Sequence, residues 1–474
     1  MEGRETATEG QRKAAAYIES QFRRLGLKPG NGNSYLQAFD LMEDSILKME
    51  IKAGDRTYLL DKDFNCNVRF NNTASVTADK IVFVGYGISD PAYDDYAGLD
   101  VKDAIVVAMA GEPKQGENYL LSGMSRTSEW SYREAFRKTT VAMEKGAKAL
   151  LIVNNFSSVV SPRKAGPYFP SVDQQSKGIN YAGITHGMFT ELFGQALSDS
   201  LLARRKAWQP FQAAVLKSLS LPVTFEYAER RIKAFTSTNV LGLLEGTDKK
   251  DEYLFLTAHY DHLGKRGNVI YYGADDDGSG TVSIIEMASA FAEAKKKGDG
   301  PRRSIVFMAV SGEEKGLLGS EYYSDHPVYP LDKTTADLNI DMIGRIDPSR
   351  KQGDSTNYIY VIGDNRLSSD LKPISESTNN KYTLLELDYK YNAPDDPERI
   401  YYRSDHYNFA RKGVPVIFYF SGLHADYHRP TDTVEKINFG LMVKRARLIF
   451  HTAWEIANRD AMLLRDIPLS NDRR

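Results

Sequence analysis

One cysteine, Cys66, stands in a chain of 474 residues, so no internal disulfide can form. That fits a reducing compartment, and equally a periplasmic protein that never needed a bridge. An excess of charge of one sign is also missing: 61 Lys and Arg stand against 63 Asp and Glu, a net charge of −2. This balance removes the electrostatic reason to expect a nucleic acid or membrane-surface partner. No apolar run is long enough to span a bilayer, and Met1-Glu2-Gly3-Arg4-Glu5 lacks the apolar stretch of a secretory leader. A leader already removed leaves the same sequence, so the compartment stays open on this count. What is present is a globular composition, 42% hydrophobic and 26% charged, without low-complexity tracts. The length exceeds one ordinary core and predicts two domains, or one with a large insertion. The 28 Tyr and 21 Phe first serve core packing, with some available to line a cleft.

The periodicity of residues 8–26 predicts an amphipathic helix with Ala14, Ala15, Ile18, Phe22 and Leu25 on one face and Gly26 at its end. Alternation over 35–60 predicts strands. From about 65 to 225 the texture changes to short apolar strands flanked by glycine, such as Ile81–Val84, Ala104–Met109 and Ala149–Val153, with a helix carrying Phe136, Val141 and Met143. No convergent set of metal-ligand or nucleophilic residues is found there, so this stretch reads as an inserted module. Beyond about 236, strands at Tyr253–Thr257, Ser304–Val310, Ala336–Ile340, Tyr358–Ile362 and Val414–Phe420 alternate with helices near 279–297, 319–325, 367–378, 404–412 and 434–458. Such alternation predicts an α/β layered domain with a largely parallel sheet.

Five motifs in this second half place metal-ligand side chains at strand ends. His259 follows the apolar Leu254-Phe255-Leu256, at the edge where open α/β sheets hold ligands. Asp261, two residues on, is placed to accept the other ring N–H and fix the ligating tautomer. A merely hydrogen-bonded strand-end histidine is the plain alternative. Asp275-Asp276-Asp277 precede Gly278-Ser279-Gly280 and a helix. A helix N-cap accounts for one or two of these carboxylates, whereas three in a row repel unless cations hold them. Glu313 and Glu314 leave the strand ending at Val310 in different directions, so one can ligate while the other faces substrate; solvated loop acids are the alternative. Asp341 ends the apolar Leu338-Asn339-Ile340, where an unpaired carboxylate is costly and a helix cap is the other reading. His428 sits in Tyr427-His428-Arg429-Pro430-Thr431-Asp432-Thr433, with Asp432 as its candidate partner. Six of the eight histidines fall between 259 and 428. Asp276, Glu314 and Asp341 carry three negative charges, and a hydroxide adds a fourth, enough to neutralise two zinc ions. Mixed His and carboxylate ligation suits zinc, with cobalt or manganese able to substitute.

In this ordered set the chain resembles the zinc metallopeptidases of family twenty-eight, which include aminopeptidase Y, bacterial leucyl aminopeptidases and the glutamate carboxypeptidase branch. Gly10-Gln11-Arg12-Lys13-Ala14-Ala15 resembles the family's usual start. Gly85-Tyr86-Gly87-Ile88 through Tyr93–Val101 resembles its protease-associated insert. The resemblance implies a mixed, mostly parallel central sheet flanked by helices, a phosphorylase/hydrolase-like zinc-peptidase fold. It divides the chain into a catalytic domain of residues 1–64 and 226–474 and an inserted β-rich domain of residues 65–225. It further implies two zinc ions, one held by His259 and Asp341 and one by Glu314 and His428, with Asp276 bridging. Glu313 becomes the general base and acid, and Tyr427 an oxyanion stabiliser found in some members. Arg403-Ser404-Asp405-His406 becomes pocket wall or support for the ligands. A cis peptide between Asp276 and Asp277 is implied as well. The expected activity is hydrolysis of the N-terminal residue from peptides with a free amino terminus, with Asp395-Asp396-Pro397-Glu398 as a candidate contributor to amine binding. The secreted relatives imply a periplasmic or secreted location, the leader not being part of this sequence. Oligomeric state is not legible. A one-zinc glutaminyl cyclase, a carboxypeptidase using Arg345 or Arg403, and a non-catalytic binding scaffold are the alternatives; retention of His259 and of every other ligand argues against the first and the last.

Overall fold

A computed structural model of the chain describes residues 1–68, 71–154, 164–170, 178–211 and 217–469. It forms two compact units, Met1–Leu41 with Phe235–Arg474, and Met42–Ala234. The chain passes between them inside two strands, Leu36–Ala53 and Lys217–Leu244. The dividing points thus lie at 41/42 and 234/235, outside the expected 65–225. Residues 42–64 go with the insert because Ile46, Met49, Ile51, Tyr58, Leu60 and Phe64 bury their side chains in its core.

In the larger unit the sheet runs in the order Glu386–Asp388, Tyr358–Ile362, Val416–Phe420, Thr334–Ile340, Lys249–His259, Arg303–Val310 and the end of Lys217–Leu244. The four strands from Val416–Phe420 to Arg303–Val310 are mutually parallel, while Lys217–Leu244 pairs antiparallel at Val240–Leu244. Strands covered on both faces bury both sets of side chains, and Arg303–Val310 and Thr334–Ile340 are buried at every position. Alternate residues serve different faces. Leu254, Leu256, Ile305, Phe307, Leu338 and Ile340 join one core with the helices Glu9–Leu25, Gly280–Lys296 and Phe439–Asn458. Phe255, Val306, Met308, Phe418 and Phe420 join a second core with Tyr323 and Phe409. The first helix is capped by Thr8, which accepts from Gln11 N–H, and ends at Gly26 with φ 79°. Because the four central strands are parallel, their C-terminal ends share one edge, and every expected ligand follows one of them except Asp276, whose loop reaches the same edge.

The Met42–Ala234 unit carries its own parallel set, Ala74–Phe83, Ile105–Met109, Ala149–Val153 and Asn180–Ile184. Ser218–Tyr227 pairs antiparallel on Ala74–Phe83. Its core stacks Phe83, Phe189, Phe193 and Phe211. It also contains helices the sequence reading passed over, His186–Phe193 and Gln195–Lys206. In the expected helix Glu134–Glu144, Val141 is buried, whereas Phe136 and Met143 are exposed. No helix among the described residues is long and apolar enough to cross a membrane.

Candidate metal centre

The register of the central strands brings the site together. His259 is the last residue of its strand and pairs with Val310, three residues before Glu313. Ile340, next to Asp341, pairs with Tyr419. The His259 Nε2 lies 3.2 Å from Asp276 Oδ1 and 3.6 Å from Asp341 Oδ1. On the other side of Asp276, its Oδ2 is 3.2 Å from His428 Nε2, which is 3.1 Å from Glu314 Oε2. Asp276 therefore turns one oxygen to each group, the arrangement required of a shared ligand. The expected cis bond between Asp276 and Asp277 is present.

Each neighbouring acid has a separate task. Asp275 accepts from Gly344 N–H at 2.6 Å. Asp277 accepts from Gly280 and Met342 N–H at 2.9 and 3.1 Å. Asp432 takes the N–H groups of Asp275 and Asp276, so it shapes the triple-aspartate loop instead of contacting His428, as the sequence reading had it. The Asp261 expectation also changes in atomic detail. The His259 Nδ1 meets the Asp261 carbonyl at 3.1 Å, and the Asp261 carboxylate accepts from Thr6 Oγ at 2.7 Å and Glu313 N–H at 3.2 Å. The carbonyl serves as well as a carboxylate for fixing the tautomer that leaves Nε2 free. From the Arg403–His406 segment it is Ser404 that reaches the site, donating to Asp341 Oδ2 at 2.7 Å. Ser404 in turn accepts from Asn339 Nδ2 at 2.9 Å. Asp405 is buried and accepts from Ser320 at 2.5 Å. Asp396, in the acidic loop, accepts from Glu398 and Ile400 N–H of its own turn.

Two supports escaped the sequence. Arg4 donates to the carbonyls of Tyr260, Tyr272 and Gly273 at 2.8, 2.7 and 3.0 Å, clamping the loops on either side of the centre from a sequence distance that no local pattern reports. His262, three residues after His259, is fully buried, with Nδ1 2.7 Å from Glu314 Oε1; the His-x-x-His spacing was the available signal.

Electrostatics set this edge apart. Burial pushes the Asp276 carboxyl up, yet contacts with His259 and His428 outweigh it and hold the group well below the usual range. Burial lowers His428, but Asp276 and Glu314 raise it to about 9. Burial drives Glu313 well above an ordinary glutamate, opposed only partly by His259. Two groups, His259–Asp276–Asp341 and His262–Asp276–Glu314, each have ligand atoms that all lie within 4.8 Å of one another. His259 Nε2, Asp276 Oδ2 and Glu314 Oε1 are buried without a hydrogen-bond partner. Orphaned buried donor atoms of N and O type, converging in pairs around one carboxylate, fit divalent cations. Beside them lies an open cavity lined by Asp276, Glu313, Asp341, Arg403 and Tyr427 and by an apolar wall that includes Phe418 and Phe420. The Tyr427 ring stacks on His428 at 3.8 Å, and its hydroxyl accepts from Arg403 at 3.3 Å.

The chain is 25% identical over 336 residues to aminopeptidase YwaD of Bacillus subtilis strain 168, covering 69% of this chain and 60% of that protein. It is 30% identical over 216 residues to a probable leucine aminopeptidase of Trichophyton verrucosum strain HKI 0517, covering 44% and 55% respectively. The chain thus spans about 55–60% of the length of these relatives. Among solved structures, an aminopeptidase from Aneurinibacillus sp. strain AM-1 shares the fold with a TM-score of 0.55 at 20% identity, over 98% of this chain and 94% of that one. BSAP, a zinc aminopeptidase from Bacillus subtilis, gives a TM-score of 0.50 at 21% identity over the same shares. Residues 239–453, which hold every candidate ligand, match the profile of peptidase family M28. Through that segment, which is under half of the chain, it is similar to peptidase family M28.

Proposed function

We propose that this chain is a co-catalytic di-zinc aminopeptidase that removes N-terminal residues from peptides. The observation that carries the reading is Asp276, buried and turning one oxygen to His259 and the other to His428, beside His259 and Glu314 atoms that are buried without a hydrogen-bond partner. His259, Asp276 and Asp341 would hold one zinc, and Asp276, Glu314 and His428 the other. Bound there, two zinc ions polarise a scissile carbonyl and acidify water. Glu313 borders the cavity, and its burial makes it hold a proton more tightly than an exposed glutamate. It takes the proton of the attacking water and hands it to the departing amine, a role worth about 10²–10⁴-fold. Tyr427, its hydroxyl positioned by Arg403, donates to the developing oxyanion.

The cavity also gives direction. Asp276, Glu313 and Asp341 form an acidic wall that attracts a protonated amino terminus, while Met342, Ile400, Phe418, Phe420 and Leu423 offer an apolar one to its side chain. The aminopeptidase names of the relatives support the same direction. The carboxypeptidase alternative loses one of its two cations, since Arg345 is paired with Asp426 at 2.9 Å. A panel of leucyl, phenylalanyl, alanyl and glutamyl nitroanilides with their N-acetylated forms tests the reading. Leucyl and phenylalanyl substrates are expected to turn over fastest and blocked forms not at all, with activity abolished by chelator and restored by zinc. Equal cleavage of the acetylated substrates, or chelator-resistant turnover, would sink it.

A further inference from the structure

His262 is buried to the last atom, and nothing in the proposed mechanism uses it. Its placement is built, not incidental. Its backbone N–H donates to the Arg4 carbonyl at 3.2 Å, and its ring lies against Gly273, where an added Cβ would come within 2.5 Å of the imidazole. Gly273 also has φ 57°, so glycine is doubly required there. The ring so held presents Nδ1 at 2.7 Å from Glu314 Oε1 and 3.7 Å from Asp276 Oδ2. The short contact is not aligned as an N–H···O bond: His262 Nδ1, Glu314 Oε1 and Asp276 Oδ2 all stay without a hydrogen-bond partner. A nitrogen and an oxygen so close, with no proton on the line between them, repel unless a cation lies where their lone pairs converge. The His428 ring faces the same place, its centroid 6.0 Å from that of His262.

Resting on the metal reading above, we propose that His262 Nδ1 is a further protein ligand at the Glu314 position. That position then has two imidazoles and two carboxylates, against one imidazole and two carboxylates at the His259 position. Two unequal positions fill in order: the nitrogen-richer one binds zinc first and discriminates more strongly in favour of later transition metals, which imidazole suits.

The test titrates the metal-free chain with cobalt(II) and with zinc, following visible absorption and chelator competition, for wild type, His262→Ala and His262→Gln. Wild type is expected to take up two equivalents in two separable steps. Both variants are expected to lose at least tenfold in affinity for the first equivalent and to alter the cobalt absorption of that step, while the second step keeps its spectrum. Circular dichroism of the metal-free forms confirms that the variants fold. An unchanged first-step spectrum in both variants overturns the ligand assignment, even where affinity falls, because that pattern means His262 acts through Glu314. Wild type binding less than one equivalent brings down the metal reading itself, an outcome separate from failure of the His262 assignment.

Discussion

The chain solves one local problem twice. Ile105–Met109 is followed by Ala110-Gly111-Glu112, and Arg303–Val310 by Ser311-Gly312-Glu313. Both strands are fully buried, both glycines take positive φ (86° and 81°), and both glutamates stand three residues past the strand. Their fates differ. Glu112 accepts from Ser128 N–H at 2.7 Å and Ser128 Oγ at 2.6 Å and is sealed from solvent. Nearby, the buried ammonium of Lys138 is spent on the carbonyls of Met109 and Gly111 and on Glu134. Glu313 instead faces a cavity beside ligand atoms that no protein group satisfies. A parallel sheet edge with x-Gly-Glu is therefore not a site. The inserted unit supplies a covalently attached cation; on the proposed reading, the larger unit leaves its acids for ions to neutralise.

The sharpest way to break this comparison is to change both glutamates to glutamine. Glu313→Gln is expected to lower kcat by about 10²–10⁴-fold while zinc content stays at the wild-type level. Glu112→Gln keeps an oxygen for Ser128 N–H and an amide for its hydroxyl, so turnover should not change. Steady-state kinetics with metal analysis decide the matter. A Glu112→Gln enzyme as impaired as Glu313→Gln would show that the resemblance of the two segments is functional after all.

How far the sequence reached follows the same division. Candidate ligands that end an apolar run are legible, because a run such as Ile305–Val310 fixes where the chain emerges and Glu313 and Glu314 can only follow. The triple aspartate was legible as a set, though not the partners of Asp275 and Asp277, which bind the backbone of Gly344 and Met342 more than sixty residues away. His262 is marked in the sequence only by its His-x-x-His spacing from His259, a weaker signal than a strand end. Arg4 and Thr6 were invisible for a plainer reason: their partners lie over 250 residues along the chain. The unit boundaries were misplaced because Leu36–Ala53 and Lys217–Leu244 cross them as uninterrupted strands, with no change of composition to read.

A second, smaller effect probes the built-in cation. Lys138→Met keeps most of the volume but removes the donor from two buried carbonyls and the counter-charge from Glu134, which keeps Gly111 N–H. Removing one partner of a buried pair costs about 3–5 kcal/mol, so denaturant unfolding should show a loss of that order. Zinc content and KM are expected to hold at a temperature where the variant stays folded. Loss of metal in this variant would mean that the two units do not keep their charge balance separately.

The smallest expected effect is a slope, not a loss. Asp95 in the inserted unit accepts from the Tyr93 hydroxyl at 2.5 Å and from Ile88 N–H at 3.2 Å. Burial nevertheless dominates and pushes its carboxyl up to about 7. An acid whose folded value lies above its unfolded one binds more protons in the folded state, so its contribution is fully present below about pH 4. That contribution fades as pH rises through 7, at no more than about 1.4 kcal/mol per pH unit. In Asp95→Asn the amide turns its oxygen to Ile88 N–H and its NH₂ to Tyr93, which keeps both contacts and removes the titration. Unfolding free energies measured from pH 4.5 to 7.5 should therefore fall more steeply in wild type than in the variant. Parallel curves would show that Asp95 already carries its charge in the folded state, leaving the inserted unit, like the larger one, with a buried carboxylate that still awaits a cation.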